Sequence, residues 1–198
     1  MALSNGTWRR HCAQLSTAVL LVAFSFASPL LARAGIPGIT IDNFARVDTT
    51  YYRGSQPEGR DYNALATLGV KSVINLTSDD AEASEPSRVS AAGMKYFQIP
   101  MTTHTPPTPA QIEQFLKIVN DPADQPVYVH CVGGRHRTGV MTAMYRMIDQ
   151  GWSGDRAFAE MKNYKYGPDF LHSEFKKFVL GYHVDPAKAA AKAANATS

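Results

Sequence analysis

Residues 126 to 150 change character twice within a few positions. "PVYVH" is a run of β-branched and aromatic residues with the length of a buried strand. "CVGGRHR" follows it, a loop of glycines and cations around a single cysteine. From Thr138 to about Gln150 the pattern is helical, and Gly151 closes it. A strand that passes through a short loop straight into a helix is half of a βαβ unit. Such units require a parallel sheet covered by helices.

The rest of the chain repeats that alternation. Tyr51 to Gly54 reads as a short strand, and Pro57 to Leu68 as a helix closed by Gly69. Lys71 to Leu76 is a strand, a helical stretch stops at Gly93, and Met94 to Ile99 is a third strand. From Thr108 to Asn120 the helix signals are strongest. Thr108 caps, Pro109 suits the first helical position and Gln111 completes a capping box. Ile112, Phe115, Leu116 and Val119 then form one apolar face. Ser153 caps a helix carrying Ala157, Phe158 and Met161, and a last helix runs from about Pro168 to Tyr182. Residues 35 to 50 read as an extended lead-in. The expected fold is α/β, with a central, mostly parallel sheet flanked by helices on both faces. Ligands of such sheets bind beyond the carboxyl ends of strands, which is where the cysteine loop falls.

The two ends are set apart by composition. Arg9 and Arg10 precede a mostly apolar run from Leu15 to Leu31, and Ala32-Arg33-Ala34 supplies a small-residue cleavage signal. Residues 1–34 therefore read as a secretory signal peptide and the chain as exported, periplasmic or secreted. The apolar run is short for a membrane span and Pro29 interrupts it, so no stable span is expected after cleavage. One domain follows, residues 35–184. The Ala/Lys-rich segment 185–198 lacks large apolar residues and reads as a flexible tail. Without Arg9, Arg10 and Arg33, 17 basic residues stand against 17 acidic ones. No global basic field remains, which argues against a nucleic-acid partner. Cys12 leaves with the leader, so Cys131 is the only cysteine of the exported chain and has no internal disulfide partner.

An unpaired cysteine is often a small buried hydrophobe. Its neighbours argue otherwise here. Gly133 and Gly134 let the backbone curl so that the N–H groups of Val132, Gly133, Gly134, Arg135, His136 and Arg137 point inward as an anion nest. The following helix dipole adds positive potential, and Arg137 offers a planar fork for two phosphate oxygens. The same groups stabilise a thiolate on Cys131, a nucleophile aimed at whatever phosphorus the nest holds. Thr138 can donate to the sulfur and help it leave when water hydrolyses the phosphocysteine. His130 reads as a residue that hydrogen-bonds the loop backbone.

His130-Cys131, five residues, then Arg137-Thr138-Gly139 is the signature of the cysteine-dependent protein tyrosine and dual-specificity phosphatases, and the chain resembles that superfamily. "YYRGSQP" (51–57), "LGVKSVINL" (68–76), "YFQIPM" (96–101) and "GWSGDRAFAEM" (151–161) follow the order of its bacterial members. Arg135-His136-Arg137 is similar to the Lys-His-Arg run of the atypical plant and fungal enzymes. The resemblance covers about residues 45 to 182. It implies Cys131 as nucleophile, the 132–137 backbone with Arg137 as phosphate ligands, and neither metal nor cofactor in the chemistry.

The family's aspartate acid is missing from its expected loop. "IPMTTHTPP" holds no carboxylate, and His104 is its one titratable side chain, with a pKa range suited to general acid work. Asp79 or Asp80 is the alternative. Arg53, Ser55 and Gln56 read as support for the loop, with Arg53 meeting the substrate as another reading, or as a plain strand-end turn. The substrate expected first is phosphotyrosine or another phosphorylated protein side chain. Small polyanions such as inositol polyphosphates or pyrophosphates come second, because Arg135 and His136 add charge to the nest. A phosphate-binding module without turnover is the opposing reading, and retention of Cys131 beside Thr138 argues against it.

Overall fold

The computed structural model describes Met1 and residues 38–78 and 80–185. The leader, the end of the tail and Asp79 lie outside the described residues. Among the described residues five strands build one sheet: β1 (Ala45–Arg46), β2 (Tyr51–Gly54), β3 (Ser72–Asn75), β4 (Lys95–Gln98) and β5 (Val127–His130). Their order is β1-β2-β5-β3-β4. Only β1 is antiparallel, pairing Ala45 with Arg53; β2, β5, β3 and β4 run parallel. The mostly parallel sheet expected from the alternation is present. The short strand β1 was hidden in the lead-in, because two residues carry no periodicity.

Among the described residues six helices cover the sheet: α1 (Asp61–Thr67), α2 (Glu85–Ala91), α3 (Pro109–Val119), α4 (Arg137–Gln150), α5 (Gly154–Asn163) and α6 (Ser173–Gly181). Strand alternation sorts the core into two layers. Tyr51, Ile74, Val127 and Val129 face Phe115, Met141, Met144, Phe158 and Phe175 of α3 to α6. Tyr52, Val73 and Tyr128 face Leu65 of α1 and Val89 of α2. β5 lies at the centre, apolar on both faces, as its sequence required.

Local signals account for most boundaries. Thr108 and Gln111 close their capping box, with Gln111 N–H donating to Thr108 Oγ1 at 3.2 Å. Gly151 ends α4 in the left-handed region at φ +66°. α3 differs in detail: Ile118 is buried and Leu116 is only partly so. α6 begins five residues later than its sequence suggested. Residues 168–172 form turns, and His172 is non-helical at φ −136° because its ring packs against His136. Among the described residues no helix is long and apolar enough to cross a membrane.

Candidate active site

Parallel pairing of β5 with β2 on one side and β3 on the other carries the chain to the carboxyl edge of the sheet and releases it at Cys131. The loop then leans on β2. Gly134 has φ +62°, and a Cβ there would lie 2.3 Å from the backbone C and O of Gly54. Its carbonyl accepts from buried Arg53 Nη2 at 2.8 Å and from Asn43 Nδ2 at 2.9 Å. Gln56 N–H donates to Val132 O at 3.0 Å. Donors outside the loop thus hold two of its carbonyls. Among the described residues, no N–H from Val132 to Arg137 is spent on a backbone carbonyl. That leaves an anion nest of donors at a helix start, with the Arg135 N–H turned to the Cys131 sulfur. The support role of Arg53 and Gln56 is settled by this geometry. Asn43, with φ +56°, gave no sequence signal.

The Cys131 side chain is 3 % exposed and unpaired. Burial disfavours its thiolate, but the Thr138 hydroxyl and N–H, the Arg137 charge and the Arg135 N–H favour it more, so the thiol is held below its usual range. The Thr138 hydroxyl is fully buried and has no other partner among the described residues.

Arg137 is buried, and its fork is filled. Nη1 and Nη2 donate to the two Asp80 carboxylate oxygens at 2.8 and 2.7 Å, and Nη1 also reaches Met101 O at 3.2 Å. The planar bidentate geometry is the one a phosphate would take. Arg137 in turn holds the Asp80 carboxyl below its usual range, against a smaller opposing effect of burial. Sequence reasoning left Asp80 as the alternative to His104, because an acidic stretch reads as solvated surface. Its distance from Arg137 in sequence, 57 residues, gives no local clue.

His130 faces away from the loop backbone it was expected to bond. Its Nε2 lies 2.9 Å from Glu85 Oε1, with both side chains fully buried. Gln56 Nε2 donates to the same oxygen at 2.7 Å, and Asn75 Nδ2 donates to Oε2. Burial raises the Glu85 pKa, but His130, Gln56 and Asn75 together bring it below the ordinary value. Glu85→Ala would strand these donors, and a loss of about 3 kcal/mol or more in urea unfolding is expected. The pH dependence follows from the lowered pKa. The Glu85 contribution is complete above the ordinary carboxyl range and is lost as pH falls through the lowered folded-state value. The urea midpoint of Glu85→Gln should therefore fall less than that of the parent between neutral pH and strong acid.

The other loop side chains turn outward. Val132 is exposed, and Arg135 Nη2 lies 3.9 Å from Asp42 Oδ2, which Lys165 also engages. His136 Nε2 meets Tyr166 O at 2.9 Å; burial leads the effects that push its pKa down, with Arg135, Arg137 and His172 nearby. At neutral pH His136 therefore adds no charge to the nest. His104 is 70 % exposed, with Nδ1 3.3 Å from Glu174 Oε1. The structure brings Cys131, Thr138, Arg137 and the 132–137 backbone together, and His104 sits at the rim with a different partner.

The family model "DSP-PTPase phosphatase fused to NAD+ Kinase" matches residues 40–178. The chain belongs to this family of cysteine-dependent, dual-specificity-like phosphatases. Dual specificity protein phosphatase TpbA of Pseudomonas aeruginosa is 28% identical over 158 residues, 80% of this chain and 69% of that one. Inositol diphosphatase SIW14 of Saccharomyces cerevisiae is 29% identical over 130 residues, 63% of this chain and 46% of that one. The chain thus spans under half the length of that yeast relative. The SIW14 core catalytic domain, solved with citrate, superposes with a TM-score of 0.67 at 28% identity, covering 79% of this chain and 95% of that one. TpbA in complex with phosphotyrosine gives 0.64 at 27% identity, covering 76% and 90%. These phosphatases share the fold.

Proposed function

We propose that the protein hydrolyses phosphotyrosine-type phosphomonoesters through a phosphocysteine on Cys131. The observation that carries this reading is the nest itself. A buried thiol of lowered pKa lies beside loop N–H groups that no backbone carbonyl takes up, next to an arginine fork already shaped around two anionic oxygens. The substrate phosphate takes the fork and displaces Asp80. Sγ attacks phosphorus in line, and the bond to the leaving oxygen breaks. Water then attacks the phosphocysteine, and the sulfur leaves as a thiolate stabilised by Thr138.

Asp80 is the proposed proton donor in place of His104. Its carboxyl is ionised while it holds Arg137. A phosphate dianion on the fork removes that partner and sets negative charge beside it, and both changes raise its proton affinity. Asp80→Asn is expected to lower turnover of alkyl phosphates roughly 100-fold. Aryl phosphates with good leaving groups should be nearly unaffected. Loss of alkyl turnover in His104→Ala, with Asp80→Asn unchanged, would return the role to His104.

Arg135 and Lys165 share the single Asp42 carboxylate and His136 is neutral, so the rim carries less positive charge than the loop sequence suggests, which favours a monoester over a polyanion. The inositol diphosphate reading rests on the SIW14 likeness. Phosphate release from a phosphotyrosine peptide, inositol hexakisphosphate and an inositol pyrophosphate decides between them. The peptide is expected to have the highest kcat/KM. Export by cleavage before Gly35 belongs to the same proposal, supported by Arg9-Arg10, the apolar run and Ala32-Arg33-Ala34. The mass of the protein recovered outside the cytoplasm tests it.

A further inference from the structure

His104 stands where the family's acid is expected, yet it faces another cluster. The loop after β4 supplies His104, the turn before α6 supplies His172, and the first turn of α6 supplies Glu174. One ligand atom from each lies within 4.8 Å of the other two. We propose that His104, His172 and Glu174 form a three-ligand site for one divalent transition-metal ion of the zinc type, separate from the phosphoryl chemistry.

The spacing is the first support. Glu174 Oε1 is 3.3 Å from His104 Nδ1 and 3.5 Å from His172 Nδ1. The first is a long hydrogen bond and the second is longer than the usual 2.7–3.2 Å of an N–H···O bond. They match the edge of a zinc tetrahedron, about 3.4 Å for ligand arms of about 2.1 Å. Two imidazoles and a carboxylate are a donor set that zinc accepts with a fourth position open to water. His172 Nδ1 donates to Thr103 O at 3.1 Å; an ion on that nitrogen would break this bond and release the proton to water.

Placement is the second. The His104 and His172 rings stack at 5.1 Å, and His172 lies 3.6 Å from the ring of His136 on the other side. His136 is itself fixed to Tyr166 O. His104 is exposed and gives an ion an open approach. An ion here clamps the loop after β4 to α6, one ring away from the phosphate loop.

The test uses the full, untagged chain carrying Cys131→Ser, so that no thiolate competes for metal. Titration calorimetry with zinc chloride is expected to give one site per chain. His104→Ala and Glu174→Gln should each weaken it at least tenfold, with unchanged circular dichroism. Cobalt(II) should show the intense visible absorption of four-coordinate cobalt in the parent and lose it in both variants. Zinc affinity unchanged by His104→Ala and Glu174→Gln, or a cobalt spectrum no different from the aqueous ion, would overturn the site. Neither readout depends on turnover, so the proposal stands or falls apart from the phosphatase reading.

Discussion

Cys131→Ser is expected to lower phosphate release roughly 10,000-fold or more, the order seen when a covalent nucleophile is removed. Binding of inorganic phosphate should persist, because the nest and Arg137 do not need the sulfur. A hydroxyl in the same place lacks a thiolate's nucleophilicity and is not ionised near neutral pH. The thiol has a second signature that needs no substrate. Burial alone would push its pKa up, and the Thr138 hydroxyl and N–H with Arg137 reverse that. Alkylation by iodoacetamide should therefore reach its half-maximal rate at a pH below about 8.5, the value for free cysteine. Thr138→Val should shift that midpoint upward, since it removes a donor from the sulfur. A serine variant with undiminished turnover would leave the nest as a binding site and assign the chemistry elsewhere.

Gly134→Ala carries the second large expected effect. Two independent obstacles meet at this residue. Its φ of +62° lies in the left-handed region, which costs a side chain about 1–2 kcal/mol. The added Cβ would also stand 2.3 Å from Gly54 backbone atoms. Those atoms end β2, paired with His130 of β5, so they cannot swing aside as a side-chain tip would. Overpacking adds about 1–3 kcal/mol. The expected outcome is a stability loss of about 3 kcal/mol in urea unfolding, with kcat/KM down about 100-fold as the loop is pushed off Gly54. Gly133→Ala is the control. A Cβ there meets only the flexible Arg135 side chain, no closer than 3.4 Å, so its stability should change little.

Much of this site was legible because its signals are local. The β5–loop–α4 unit lies in one continuous stretch, and the capping box at Thr108 and Gln111 and the glycine stop at Gly151 each depend on residues within one turn of one another. The anion nest follows from the same short stretch. What stayed hidden depends on pairs far apart in the chain. Asp80 meets Arg137 across 57 positions, Asn43 meets Gly134 across 91, and His130 meets Glu85 across the buried side of the sheet. No spacing rule reaches that far. The late start of α6 has the same origin: helical periodicity reaches back to Pro168, but the packing of His172 on His136 overrides it. The rim charge misled for a related reason. Arg135 and His136 read as added cations, and only the fold shows Asp42 beside one and a burying environment around the other.

The Asp80 carboxylate on Arg137 has a consequence for throughput. A tethered anion is present at an effective concentration in the millimolar range or above, set by its loop and independent of bulk solution. Every ligand of the fork, including the inorganic phosphate left after each turnover, must outcompete that resident. Weakly held product is therefore expelled by an internal rival, and stray anions from the medium are refused on the same terms. The enzyme resets itself between cycles without waiting for dilution to empty it.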